Sequence, residues 1–302
     1  MIRMRSFKGG YGISDDYIAL HNFLVDSGNP EFSYARLDWM ITHRPYLQEE
    51  NLCKIGIWED EGKIVSADLF DTTLDNIFPV VLSGYENLYH EMIDYAQANM
   101  GLPDNTVLKI FINKDNICLK KCVESMGFYQ LSEKDKLARY DLNNIPEYTL
   151  PDGFTIVSLK EEREYEKYAK CLFKGFNHEK QGETFIFGTE MLEEQRMELE
   201  REMVNLDLKL NVKAPDGSYV AHCGMWYDLK SEFAVIEPVA TIPEFRKMGI
   251  GKVVVLEGLR RVKAMGARYA YVGSGQQFYY AIRLEPYTEG YFWSKKYEHC
   301  SK

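Results

Sequence analysis

The stretch ATIPEFRKMGIGK, residues 240–252, decides how the chain is read. It places Arg246, Gly249 and Gly251 in the order R-x-x-G-x-G. An apolar run, Phe233–Thr241, leads into it, and a helical pattern over 253–267 leads out. A strand that enters a helix through a glycine turn leaves the helix's first N–H groups without intrahelical partners. Those donors and the helix dipole together make an anion site. Gly249 and Gly251 let a ligand approach the backbone with no Cβ in the way. Arg246 and Lys247 add positive charge at the rim, and a pyrophosphate fits the whole. Two other phosphate motifs do not match. A P-loop needs Ser or Thr after its lysine, and Lys252 is followed by Val253. The dinucleotide fingerprint needs a third glycine that G-x-G-K-V-V lacks.

Outward from this turn, the second half shows a clear order of elements. A strand is expected at 154–159, helices at 161–176 and 182–203, and strands at 206–212, 219–227 and Phe233–Thr241. After the glycine turn come a helix to about Ala267, a strand at Tyr269–Val272, a short helix at 276–283 and a last strand near 291–297. Three consecutive strands before the turn point to an antiparallel meander and away from a repeated βαβ unit. The first half repeats the order. Helices are expected at 15–25 and 34–42, and strands at 54–58, 64–71 and 77–82. A helix at 88–100, a strand at 107–112, a helix at 117–126 and a strand opening with GFYQL follow. The repetition suggests a duplication. Residues 143–153, with two prolines and a glycine, read as the linker between domains spanning 1–142 and 154–302.

The 302 residues are long enough for two domains, and 45% hydrophobic with 27% charged is a globular balance. A net charge of −10 argues against nonspecific nucleic-acid binding, which needs a basic face. No apolar run reaches the ~20 residues of a membrane span, and the N-terminus lacks the apolar core of a signal peptide. The cysteines, Cys53, Cys118, Cys122, Cys171, Cys223 and Cys300, form no CxxC pair and read as reduced thiols. No metal site, no nucleic-acid partner and no membrane association are expected, and the location expected is cytoplasmic.

VATIPEFRKMGIGK resembles the [QR]-x-x-G-x-[GA] motif of the GNAT superfamily of N-acetyltransferases, which binds the pyrophosphate of acetyl-CoA between the fourth strand and third helix. Downstream, GSGQQFYYAIRLEPY is similar to the family's next helix, with Phe278 and Tyr279 in its Leu-Tyr slots. Arg283-Leu284 stands where the family has Gly-Phe, and Ser274-Gly275 where it often has Asn. In the first half, CVESMGFYQL fits the Gly-Phe pattern at Gly127-Phe128, but VVLSGYENLYHEM has no Arg or Lys and one glycine. The resemblance therefore implies a tandem GNAT protein of α/β class. Each domain would be a mixed, mostly antiparallel sheet flanked by helices, the first degenerate and the second binding acetyl-CoA as cosubstrate.

The same resemblance implies site residues. Arg246, Lys247, Met248, Gly249, Ile250, Gly251 and Lys252 would hold the pyrophosphate, and the backbone of Val239, Ala240 and Thr241 the pantetheine amides. Tyr279 takes the general-acid position; alternatively it packs in the core, with Tyr280 as the other candidate. Glu237, a lone carboxylate in an apolar strand, is either a proton acceptor or a substrate-orienting or structural ion-pair partner. Pro238 beside it removes a strand N–H and predicts a bulge. Arg260, Arg261 and Lys263 are either aids to the nucleotide 3′-phosphate or a solvated helix face. The acceptor would enter near 173–187, among Tyr165, Phe176, Glu179 and Glu183. The activity implied is acetyl transfer to a primary amine of a small molecule or peptide; the alternatives are a CoA-binding sensor without catalysis and a transferase of longer acyl groups.

Overall fold

Phe233–Thr241 and Tyr269–Val272 are strands at the limits the sequence predicts, and the glycine turn begins a helix. Residues 1–42, 48–101 and 107–296 are described in a computed structural model. The first half runs β1 (Arg3–Ser6), α1 (Asp15–Ser27), α2 (Tyr34–Thr42), β2 (Gly56–Asp60), β3 (Lys63–Asp71), β4 (Thr73–Val81), α3 (Tyr89–Asn99), β5 (Val107–Asn113), α4 (Ile117–Ser125) and β6 (Tyr129–Asp141). The second runs β7 (Thr155–Ser158), α5 (Tyr165–Gly175), α6 (Thr189–Leu199), β8 (Lys209–Lys213), β9 (Tyr219–Trp226), β10 (Phe233–Thr241), α7 (Ile250–Met265), β11 (Tyr269–Val272), α8 (Gln277–Ala281) and β12 (Glu285–Lys296).

Two units emerge. The first comprises 1–137, 273–275 and 286–302; the second comprises 138–272 and 276–285. These units are not the two expected halves, 1–142 and 154–302, end to end: each takes its last strand from the other half of the sequence. In the first unit the strand order is β1-β2-β3-β4-β5-β12, with Gly290–Lys296 antiparallel to Val107–Asn113. Among the described residues of this unit β4 and β5 are the one parallel pair, with Asn76 opposite Lys109 and Ile77 opposite Ile110 before they diverge. Ser14 caps α1 by accepting from the Tyr17 N–H, and Gly28 ends it at φ 60. The expected linker, 143–153, lies in the second unit and is held on α7. Tyr148 donates to Glu257, Arg260 to the Pro146 carbonyl and Lys263 to the Asn143 carbonyl.

In the second unit the order is β6-β11-β10-β9-β8-β7, where β6 contributes Ala138 to Asp141, antiparallel to Tyr269–Val272. All of β9 is buried, with α5 on one face and α7 on the other. Val254, Leu256, Leu259 and Val262 form the apolar stripe that docks α7. A Cβ on Gly258 would lie 3.0 Å from the Met225 side chain, so that glycine lets helix and strand approach closely.

Several expectations shift. The helix expected over 182–203 is only Thr189–Leu199, because Gly182 takes a left-handed φ of 86 and Gly188 stands at the N-cap. The strand expected from Leu206 opens as a helical turn, since Asn205 accepts from the Asp207 N–H. β12 starts at Glu285, earlier than expected, and Tyr297 and Cys300 lie outside the described residues. The four residues of β1 carry no periodicity from which to expect them. Among the described residues no helix is long and apolar enough to cross a membrane, and no three His, Cys, Asp or Glu gather as a metal site.

Candidate active site

The site is built where β10 loses a neighbour. β10 pairs with β11 from Phe233 to Val235, and among the described residues no strand pairs with that edge from Ile236 to Thr241. On its other edge β10 pairs with β9, and the register slips between Ile236 and Val239. Glu237 and Pro238, joined by a cis peptide, bulge there as the proline predicts. Gly224 on β9 makes room, because a Cβ on it would sit 2.3 Å from the Glu237 carbonyl oxygen. The Trp226 indole N–H donates to that same oxygen at 3.1 Å. A glycine inside a strand run was the available sign that a backbone approaches there.

The chain then passes Thr241 into a turn with Lys247 at φ 66 and Gly249 at φ 81, and α7 starts at Ile250. Its first turn contains no acidic residue and no side-chain cap. The N–H groups of Ile250, Gly251 and Lys252 are thus the helix's orphan donors. Arg246, Lys247, Met248, Gly249 and Lys252 are exposed, and Ile250 and Gly251 buried. The two glycines differ. Nothing lies within 4 Å of a Cβ on Gly249, so that position is open and needs glycine for its φ. A Cβ on Gly251 would meet Thr241 Oγ1 at 2.7 Å and the Phe278 ring at 3.5 Å. Gly251 is therefore a packing position between β10, α7 and α8, which corrects the expectation that it clears space for a ligand.

Arg246 does not extend over the helix start. Its Nε donates to the Thr241 carbonyl at 2.9 Å and its Nη2 to the Gly175 carbonyl at 2.8 Å, joining the end of β10 to the end of α5. Gly175 belongs to this contact, since a Cβ on it would lie 2.7 Å from Ala240 Cβ. Lys174 pairs with Glu244 at 3.8 Å and with Glu179 at 3.7 Å. Sequence reading missed both residues, because helical spacing shows which face of α5 is apolar and not what it touches. Arg260, Arg261 and Lys263 are engaged within the chain: Arg260 with Glu147 and the Tyr148 ring, Arg261 with Glu257 and the Asp207 carbonyl, Lys263 with the Asn143 carbonyl.

Of the three aromatics on α8, Tyr279 is the buried one, at 8% exposure, its ring 5.1 Å from that of Phe278. Phe278 and Tyr280 are half-buried. Burial, followed by the nearby Cys223 and Glu237, raises the Tyr279 hydroxyl well above its ordinary range. Cys223 is itself buried and pushed up to about 12. Tyr279 therefore stays protonated at neutral pH, and it shares its surroundings with the half-buried Glu237.

Among the expected acceptor residues, Glu183 pairs with His178 at 3.0 Å, Tyr165 with Glu200, and Phe176 is exposed. Phe173 stacks on His178 at 5.2 Å and tilts against Phe185 at 5.4 Å, which forms an aromatic strip beyond the end of α5.

The corresponding turn of the first unit differs. After β4, the Gly84 N–H donates to the Glu86 carboxylate at 3.0 Å.

Residues 165–284 match the acetyltransferase (GNAT) family. The GCN5-related N-acetyltransferase from Sphaerobacter thermophilus superposes with a TM-score of 0.56 at 12% identity, covering 98% of this chain and 95% of that one. A tandem GNAT protein from the clavulanic acid biosynthesis pathway gives 0.57 at 12% identity, covering 98% of each chain. The Saccharomyces cerevisiae N-myristoyltransferase with bound myristoyl-CoA gives 0.55 at 11%, covering 98% and 79%. At these identities the likeness is one of fold. A search of curated protein sequences found no relative.

Proposed function

We propose that this chain, whose residues 165–284 are a domain of the acetyltransferase (GNAT) family, transfers an acetyl group from acetyl-CoA to a primary amine of a small molecule or peptide. The observation that carries this reading is the run from a one-sided β10 edge into an uncapped helix start, with Tyr279 buried beside Glu237. The unpaired edge suits the pantetheine amides, which would add to it as a strand does. The orphan N–H groups of Ile250, Gly251 and Lys252 suit the pyrophosphate, and the open Gly249 leaves it room. Arg246 and Lys174 fix that turn against α5.

The amine nitrogen attacks the thioester carbonyl carbon, forming a C–N bond, and the C–S bond breaks. Two protons must move. The departing thiolate takes one from the Tyr279 hydroxyl, which its surroundings keep protonated. The nitrogen gives one up, to Glu237 directly or through water, and the two residues exchange protons with solvent before the next turnover. Glu237 as a group that only orients the acceptor remains the other role for that carboxylate.

Release of CoA from acetyl-CoA over a panel of polyamines, aminoglycosides, amino acids and peptides tests the reading, with calorimetric CoA titration beside it. Turnover on one class and one CoA site per chain are expected. CoA binding without turnover on any amine would favour a sensor. A myristoyl-CoA arm separates acetyl transfer from transfer of a longer chain.

A further inference from the structure

The first unit buries an acid in the middle of its sheet. Ser66 and Asp68, two apart on β3, share one face and are both wholly buried. Gly56 stands opposite Asp68 on β2, and Pro79 stands opposite it on β4. Residues paired across antiparallel strands point to one face, so Asp68 lies on the face where α3 sits. There the Tyr95 ring rests on Gly56, 2.6 Å from where a Cβ would stand, and edge-on to Trp58 at 5.6 Å. Tyr95 donates its hydroxyl hydrogen to the Lys54 carbonyl at 3.1 Å. The other titratable groups of α3, His90, Glu91 and Asp94, are exposed, and Glu91 accepts the Trp58 indole N–H at 2.8 Å. Among the described residues neither oxygen of Asp68 has a hydrogen-bond partner, and nor does the Ser66 hydroxyl.

A carboxylate taken out of water with neither a donor nor a cation beside it keeps its proton instead. Burial alone raises the Asp68 carboxyl well above its ordinary range. Burial, with Asp68 and Cys53 adding to it, raises the Tyr95 hydroxyl, so that neighbour stays neutral too. Ionised Asp68 needs water, and α3 stands between it and solvent. The strands around Asp68 are tied by backbone ladders. α3 is held down by side chains, with Met92, Ile93, Tyr95 and Ala96 buried against the sheet.

We propose that Asp68 is a pH-sensitive latch: as the neutral acid it lets α3 lie on the sheet of the first unit, and on ionising it lifts α3 to admit water. The sign follows from where the proton is held. The opened chain gives it up near pH ~4, the ordinary range of an aspartic acid, and the closed chain keeps it to higher pH. Rising pH therefore favours the opened form, by at most about tenfold per pH unit between those two points. The latch belongs to the first unit and stands whether or not the second unit is catalytic.

Hydrogen exchange of the full chain from pH 5 to 9, expressed as protection relative to the unstructured rate at each pH, tests it. An 11-residue helix off its sheet is marginal in water, so the α3 amides report the lifting. Their protection should fall by up to about tenfold per pH unit in the wild-type chain. Asp68→Asn, which cannot ionise, should hold it level, while β8, β9 and β10 behave alike in both chains. Level protection of α3 in the wild type, or an equal fall in the variant, overturns the proposal. A fall centred outside α3 overturns it as well. Should Asp68→Asn not fold, Asp68→Leu, which removes both oxygens at similar size, is read in its place. An infrared spectrum of the wild-type chain needs no variant. With the aspartates ¹³C-labelled, a protonated-carboxyl C=O band that moves with the label should be present at pH 7, and its absence overturns the proposal.

Discussion

At the scale of single residues, Tyr279 carries the enzyme reading. Phe keeps the ring against Phe278 and removes only the hydroxyl. Turnover should fall by ~10²–10⁴ in kcat and kcat/KM alike, with CoA affinity and Tm nearly unchanged. Tyr280→Phe is the control and should stay active; the reverse pattern would move the acid one position along α8. Arg246 poses a different question. Its guanidinium joins Thr241 and Gly175, so Arg246→Ala should loosen the whole turn. CoA and a pantetheine fragment should both lose affinity, by roughly three- to tenfold. Loss confined to CoA would show that Arg246 leaves those carbonyls for the pyrophosphate. His222 supplies a pH dependence. It is wholly buried, with Nδ1 2.9 Å from Asn211 Oδ1, the Tyr168 ring at 4.9 Å and Lys209 nearby. Burial, then Lys209, lowers it to about 3. The unfolded chain binds a proton near pH 6.5 that the folded chain refuses. Stability from this group is full above pH 6.5 and declines toward pH 3, by about 1.4 kcal/mol per pH unit within that window. Denaturant midpoints measured from pH 7 to 4 should fall less steeply in His222→Gln.

At the scale of elements, the glycine turn shows how one motif divides its work. Gly251→Ala puts a methyl against Thr241 Oγ1, and the neighbours must yield. A cost of about 1–3 kcal/mol is expected. Thr241→Ala should recover much of it, since the clashing atom is gone, and a double-mutant cycle measures the coupling. Additive single and double variants would mean that the contact does not govern the position. Much of this was legible beforehand. Phe233–Thr241 reads as a strand because it is a short, largely apolar run, and Pro238 announces the bulge because it cannot donate to a ladder. The docking of Gly175 on Ala240 was not legible, because a helix pattern reveals a face and not its partner. Nor was the role of Gly251: R-x-x-G-x-G reads the same whether a glycine clears space for a ligand or for Thr241.

At the scale of the whole molecule, the exchange of last strands is what local pattern could not disclose. β12 carries an aromatic run, Tyr291 to Trp293, and nothing in EPYTEGYFWSKK says which β5-like edge it joins. The order of elements alone suggests two self-contained halves. The structure instead makes residues 286–302 part of the first unit, where Phe292 packs edge-on to Phe111 at 5.4 Å and Trp293 is buried. A chain ended after Glu285 therefore tests the arrangement without touching the candidate active site. It removes the strand that covers β5 and leaves an apolar edge open, which is also an aggregation hazard. Hydrogen exchange should show β4 and β5 losing protection by several orders of magnitude, while β8, β9 and β10 keep most of theirs. If β12 belonged to the second unit, the loss would centre on β10 and β11. Protection lost uniformly would mean that the two units unfold as a single cooperative body. A peptide of residues 286–302 added back should restore the protection of β5 at concentrations where a scrambled peptide does not, because antiparallel pairing from Gly290 to Lys296 depends on register.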